Sequence, residues 1–303
     1  MTNTPQSHDM TDDTTRRRIV WLLQRLTSFS LWKRKRDAFA IFANEYESAV
    51  KNQSADDPEP MPANNLPMIF EILAAYDRGL SELARGHRFV WRRGEPLQYA
   101  VARYNHLNAY FFPHPDYWDR GAQVAPYPPK VDALVRLLHA SEYQMEYAPF
   151  EPGYTDLAQL CSVGLLLSPH AYEHSFYTLP YPVFPEDLQE IPEPVGVMIK
   201  SGDKVPCDGI WEPVTVERSK WLGIVPVGGC RVFPNRGCFN YLGRGTRAPK
   251  VRDAMELAVR TRWRLLWEDR RYVDGVIPDE SSYFLEAGAK PPAASGKQVT
   301  RCR

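Results

Sequence analysis

The chain has no surplus charge of either sign: 37 Lys and Arg offset 37 Asp and Glu over 303 residues. That balance excludes a protein acting as a bulk polycation on nucleic acid. A long apolar run is also missing. The longest uncharged stretch, Leu157 to Tyr172, has 16 residues and contains Pro169. A membrane-spanning helix needs roughly 18–20 apolar residues. No secretory leader is expected, because residues 1–18 are polar and the apolar stretch Ile19–Leu23 stops at Gln24-Arg25. The five cysteines (Cys161, Cys207, Cys230, Cys238 and Cys302) form no Cys-x-x-Cys pair. A disulfide framework is therefore not expected, and a cytoplasmic location is. Cys207, Cys230 and Cys238 are spaced too widely for a zinc knuckle. No Gly-x-Gly-x-x-Gly follows a strand candidate, and neither a phosphate loop nor a Gly-x-Ser-x-Gly elbow occurs. No cofactor is expected.

Proline and aromatic residues are plentiful instead. The 37 aromatics supply a sizeable core, which excludes global disorder. Of 27 prolines, 13 fall between Pro113 and Pro194, so that stretch must be rich in turns.

Apolar residues recur at helical spacing through the first 140 positions. Thr14 or Thr15 is a candidate cap for a helix carrying Ile19, Leu22, Leu23, Leu26 and Phe29. Phe39, Phe42, Tyr46 and Val50 mark a second helix. Asn65-Leu66-Pro67 opens a third, with Ile69, Leu73, Tyr76, Leu80 and Leu83, and Gly86 stops it. A fourth runs from Pro96 through Leu97, Val101, Tyr104, Leu107 and Phe111. A fifth starts at Pro128-Pro129 with Val131, Leu134, Val135 and Leu138.

Beyond Glu193 the pattern changes. Val195–Lys200, Ile210–Val216 and Trp221–Val227 are strand candidates, and Gly237–Arg247 reads as a loop. Val251, Met255, Ala258, Val259, Trp263 and Leu266 suggest a long closing helix that starts at Pro249. The expected fold class is α+β, mostly α. The expected division is a disordered tail 1–14, a helical domain 15–193, a β-hairpin region with closing helix 194–286, and a disordered tail 287–303.

Charge is segregated along the chain. From Glu142 to Glu193 there are nine carboxylates, nine aromatics and no Lys or Arg. Thr15 to Arg36 holds eight Lys or Arg and no acid, and Arg231 to Arg271 holds eleven against four acids. One reading is mutual neutralisation within a single fold. The other is an acidic, aromatic surface that receives a cationic protein. On that reading the partner-binding residues are Glu142, Glu146, Tyr147, Glu151, Tyr154, Asp156, Tyr172, Glu173 and Tyr177. Tyr147, Tyr154, Tyr172 and Tyr177 are the anchors.

His170-Ala171-Tyr172-Glu173-His174 fits the His-x-x-Glu-His pattern of inverted zinc peptidases. On a helix both histidines would face one metal, but no third ligand is identifiable and the run sits among prolines. Two surface histidines are the expectation, with no metal and no catalytic residue. Arg260, Arg262 and Arg264 alternate with Trp263 and Trp267, which suits either a phosphate or RNA contact or one solvated face of an amphipathic helix. Asp208, Glu268 and Asp269 have no evident partner.

Three stretches carry a resemblance. They are Ser201-Gly202-Asp203-Lys204-Val205-Pro206-Cys207-Asp208-Gly209-Ile210-Trp211-Glu212-Pro213; Gly237-Cys238-Phe239-Asn240-Tyr241-Leu242 with Ala248-Pro249; and Trp263-Arg264-Leu265-Leu266-Trp267-Glu268-Asp269-Arg270-Arg271-Tyr272 running into Asp274-Gly275-Val276-Ile277-Pro278-Asp279. Together they resemble bacterial immunity proteins of polymorphic-toxin and type VI secretion loci. The resemblance implies a helical N-terminal region and a non-catalytic inhibitor that binds a cognate toxin or effector protein. It carries over no catalytic position. A nuclease is one toxin class whose phosphate-binding cleft an acidic stretch would fill. No nucleic-acid or membrane partner is expected, and monomer and homodimer both stay open. The competing readings are a zinc-dependent hydrolase using His170, Glu173 and His174, and an adaptor or chaperone that loads an effector onto a secretion machine.

Overall fold

A computed structural model describes residues 9–57, 61–111, 129–142, 148, 162–173, 178–194, 196–217, 221–222, 225–226, 231–234, 237–252 and 258–286. The five expected helices form where the apolar stripes lie. They are α1 (Asp13–Leu26), α2 (Phe29–Lys51), α3 (Leu66–Leu83), α4 (Pro96–Phe111) and α5 (Pro129–His139). A short α6 (Val163–Leu167) follows. The cap of α1 is Asp12 rather than a threonine. Its carboxylate accepts the Thr15 N–H at 2.7 Å, and Met10 just before it is already buried. Order thus begins ahead of residue 15.

Phe29 opens α2 instead of closing α1, because two hydroxyls divide the helices. Thr27 bonds the Leu23 carbonyl at 2.8 Å. The Ser28 hydroxyl donates to Arg25 O at 2.7 Å and accepts the Leu31 N–H at 3.2 Å. Both hydroxyls satisfy helix-end groups that would otherwise be stranded in the interior. Gly86 follows α3 at φ +80°, and a Cβ there would lie 2.8 Å from the Val273 backbone. Only glycine fits that turn.

α3 packs against α2 and α4, and α5 lies on α2. Their shared interior is aromatic: Trp32, Phe39, Phe42, Tyr46, Tyr76 and Tyr104 are fully buried. Phe39 stands 5.5 Å from Phe42 and 6.0 Å from Tyr76, in tilted geometries.

The C-terminal part is a five-stranded antiparallel sheet. Its strands are β1 (Met198–Lys200), β2 (Gly209–Glu217), β5 (Arg231–Pro234), β6 (Asn240–Leu242) and β9 (Arg262–Glu268). The order is β1-β9-β2-β5, with β6 also pairing β2. Two short hairpins, β3 (Trp221–Leu222) with β4 (Val225–Pro226) and β7 (Val251–Arg252) with β8 (Ala258–Val259), stand apart. Ile210, Phe239, Tyr241, Leu266 and Tyr272 join the same core as the helices. A second, smaller core holds Val205, Trp211, Leu242, Ala248, Trp263 and Leu265.

The expected closing helix is not formed. Residues 258–268 instead hold β8 and β9. Along β9 the burial alternates: Trp263 and Leu265 are buried while Arg262 and Arg264 are half-exposed. That period of two belongs to a strand. Arg-Trp-Arg-Leu satisfies both faces of the sheet, whereas a helix would put an arginine into its buried stripe. The Trp263 indole N–H donates to the Pro249 carbonyl at 2.9 Å, fixing the ring in the small core. The expected 237–247 loop contains β6, and β5 lies outside the expected strands.

Trp263→Ala should therefore cost about 3–5 kcal/mol of folding stability in urea titration. Arg262→Ala, on the solvated face, should stay within about 0.5 kcal/mol.

Candidate functional site

The basic stretch at 15–36 is largely consumed inside the fold. Arg16 and Arg264 clamp the buried Glu212 carboxylate at 3.1 and 2.5 Å. Arg25 donates to the Tyr283 carbonyl at 2.9 Å and Arg36 to Asp77 at 2.7 Å. The fully buried Lys35 ammonium donates to the Glu142 carbonyl at 2.8 Å. Burial pulls the Lys35 pKa well below the usual lysine range, with the Glu142 carboxylate opposing that shift.

The densest ionic centre joins the helices to the sheet. Asp269, at the end of β9, is buried. Its Oδ1 receives Arg88 at 3.1 Å and Arg271 Nε at 2.9 Å. Its Oδ2 receives Arg271 Nη2 at 2.8 Å and the Tyr241 hydroxyl at 3.0 Å. Both arginines also reach the α1–α2 corner. Arg88 donates to Thr27 O at 2.9 Å, and Arg271 donates to the Gln24 carbonyl at 3.0 Å and the Thr27 hydroxyl at 2.6 Å. Burial alone would raise the Asp269 pKa, but the two arginines outweigh it and hold the carboxyl below its ordinary value. Tyr241 moves the opposite way: burial and the Asp269 charge push its hydroxyl well up, so it stays a donor.

Of the partner-binding residues expected from sequence, the structure turns two inward. Glu142 is buried. Its Oε1 accepts the Tyr104 hydroxyl at 3.1 Å and lies 3.0 Å from His139 Nδ1. Tyr172 is 1% exposed, and its hydroxyl donates to the Leu166 carbonyl at 2.9 Å. Both side chains are held inside the fold. Glu173 is exposed and sits 3.0 Å from His170 Nδ1. Glu146, Tyr147, Glu151, Tyr154, Asp156 and Tyr177 lie outside the described residues, as does His174. His170 belongs to a single 3₁₀ turn, Pro169–Tyr172. The chain leaves helical geometry at Glu173 (φ −93°, ψ 124°), so the helical spacing needed to aim both histidines at one metal is not formed. Among the described residues no group of three His, Cys, Asp or Glu is arranged to hold a metal ion. Burial raises the Cys207 pKa, with the nearby Glu268 and Asp208 adding to it.

The part of the acidic stretch that does face outward is residues 186–193. Glu186, Asp187, Glu190 and Glu193 are all exposed. They were counted in the sequence but not singled out. No ion pair ties them to any described residue. The segment beneath them is pinned to α1. Phe184 packs 5.1 Å from the Trp21 ring and 5.0 Å from the Arg18 guanidinium. Arg17 donates to the Leu188 carbonyl at 3.4 Å, and Tyr181 donates to the Leu167 carbonyl at 2.8 Å. Pro180, Pro182, Pro185, Pro192 and Pro194 restrict the backbone. The carboxylates therefore stand on a pre-ordered, non-helical strap.

Residues 10–111 match the family model of Immunity protein 71 and residues 190–285 that of Immunity protein 72. The chain resembles the immunity proteins. No curated protein and no solved structure matches it. The two matched regions share one core, and the Asp269 centre bridges them: Arg88 and Thr27 come from the first, Tyr241, Asp269 and Arg271 from the second. No helix among the described residues is long and apolar enough to cross a membrane.

Asp269→Ala should cost about 3–5 kcal/mol, because it leaves two buried guanidinium groups without their anion. Because its folded pKa is depressed, Asp269 contributes stability above the unfolded carboxyl value of about 3.9, and that contribution is lost as pH falls through the folded value. The stability gap between the parent protein and Asp269→Asn, measured by denaturant titration, should be constant near neutral pH and shrink below about pH 4.

Proposed function

We propose that this chain is an immunity protein that binds a cognate secreted antibacterial toxin and neutralises it one-to-one, without chemistry of its own. It would act in the cytoplasm of the producing cell or its siblings, in a polymorphic-toxin or type VI secretion setting. The two family matches support the class. The observation that carries the mechanism is the strap 186–193: four exposed carboxylates, unpaired among the described residues, on a backbone already fixed against α1.

Unpaired surface charge on an ordered segment is suited to steering and orienting a partner of opposite sign. Pre-ordering lowers the entropic cost of association. The matching toxin surface is cationic. A nuclease fits that description, because the site that grips phosphates must be positive. An acidic strap seated there would exclude the nucleic acid by occupying its charge. Glu173 is a further exposed carboxylate of the acidic stretch.

Co-expression with the toxin encoded beside its gene should restore growth, and the two purified proteins should form a complex in which toxin activity is lost. Glu186→Lys with Asp187→Lys should weaken that complex by about tenfold or more, leave the circular dichroism unchanged, and steepen the loss of protection. A complex that retains full toxin activity would instead indicate an adaptor or chaperone. Absence of any complex would contradict the proposal.

A further inference from the structure

A second set of charges is left over on β1, on the turn that follows it and at the start of β9. β1 is an edge strand, and Lys200 stands directly opposite Arg262 of β9. Lys204 stands opposite Arg247 in an isolated antiparallel bridge. Cross-strand neighbours of like sign repel, and a chain with as many acids as bases has the means to avoid both pairings. Lys200, Lys204, Arg247 and Arg260 are exposed and Arg262 is half-exposed. Among the described residues none of the five has a carboxylate partner. Arg264, two positions on, is tied to Glu212, so the fold does neutralise an arginine of this strand where it needs to. Val197 and Met198, beside Lys200 in the chain, and Val259, beside Arg260, are 38%, 40% and 40% exposed.

The backbone edge is closed to strand addition at this point. Leu265 donates to Val197 O and Ser201 donates to Thr261 O, so Val197 and Ser201 face β9 and the intervening Lys200 N–H faces outward. The Asp203 carboxylate takes that N–H at 2.8 Å, which blocks a further strand. Docking here is left to side chains. Arginine beside an exposed methionine is a combination enriched at protein interfaces. A single-stranded nucleic acid would need rings to stack on. Trp263 of β9 is buried on the opposite face.

We propose that this cationic set docks an acidic segment of the same toxin whose basic surface meets residues 186–193, so that the partner is held at two poles of opposite sign. The proposal rests on the immunity reading. The poles are consecutive in the chain: Glu193 and Lys200 are seven residues apart, at most about 25 Å. Two opposite poles set the orientation of a partner, which one pole cannot do.

Lys200→Glu separates a docking role from a structural one. It replaces the repulsion with Arg262 by a cross-strand ion pair, so the melting temperature should stay level or rise. Affinity for the inactivated toxin encoded beside the gene should fall about tenfold, with the loss mainly in the association rate at low salt. Arg247→Glu should likewise lower affinity about tenfold, although it also gives up the Arg247 hydrogen bond to the Gly202 carbonyl. Unchanged affinity in both variants, while Glu186→Lys with Asp187→Lys still weakens the complex, would overturn the two-pole arrangement and leave the immunity reading standing. Failure of the parent protein to bind the toxin would remove the reading itself. Binding of a short single-stranded RNA, lost in Lys200→Glu, would overturn the proposal in favour of a nucleic-acid contact.

Discussion

The Asp269 carboxylate is the point on which the two halves of this molecule depend. A buried anion is stable only when it is fully paired, and here the pairing is shared. Arg88 comes from the turn after α3. Arg271 and Tyr241 come from the sheet side. Both arginines continue to the carbonyls of the α1–α2 corner. Any relative movement of helices and sheet would strip partners from a charge that cannot reach water. The hydrophobic contacts of Ile210, Leu266 and Tyr272 with the helical core supply affinity between the halves, while the ionic centre supplies their register.

That register determines what the surface offers. Because α1 and the sheet are fixed together, the strap 186–193, which lies on α1 and runs into β1, is fixed too. The fold spends its N-terminal arginines on Glu212, Asp77 and interior carbonyls, and leaves the strap's carboxylates without ion pairs among the described residues. The charge segregation seen along the chain thus divides into two uses. The basic helices form their ion pairs with acids outside the acidic stretch, Asp13, Asp37, Asp77 and Glu212, and part of the acidic stretch stays outward.

The helices were legible because their stripes are long and amphipathic, and each forms where Ile19, Phe39, Ile69, Leu97 and Leu134 stand in phase. β9 was misread for a physical reason. Val251, Val259, Trp263 and Leu266 also fit a period of 3.6, and the competing period of two is confined to four residues, Arg262 to Leu265. The site was harder. Counting acids cannot distinguish Glu142, which accepts a tyrosine hydroxyl in the core, from Glu190, which faces water. Asp269 has Arg271 two positions on, but nothing local pointed to Arg88, 181 residues away in the chain. Proline density around 180–194 was the one usable signal for the strap.

The most direct test of this account is native-state hydrogen exchange of the full chain. If Asp269 and its arginines weld the two matched regions into one body, the slowest amides of α3 and those of β2 and β9 should open with the same free energy and the same denaturant dependence. Two distinct opening free energies, with the sheet exchanging while the helices stay protected, would contradict it.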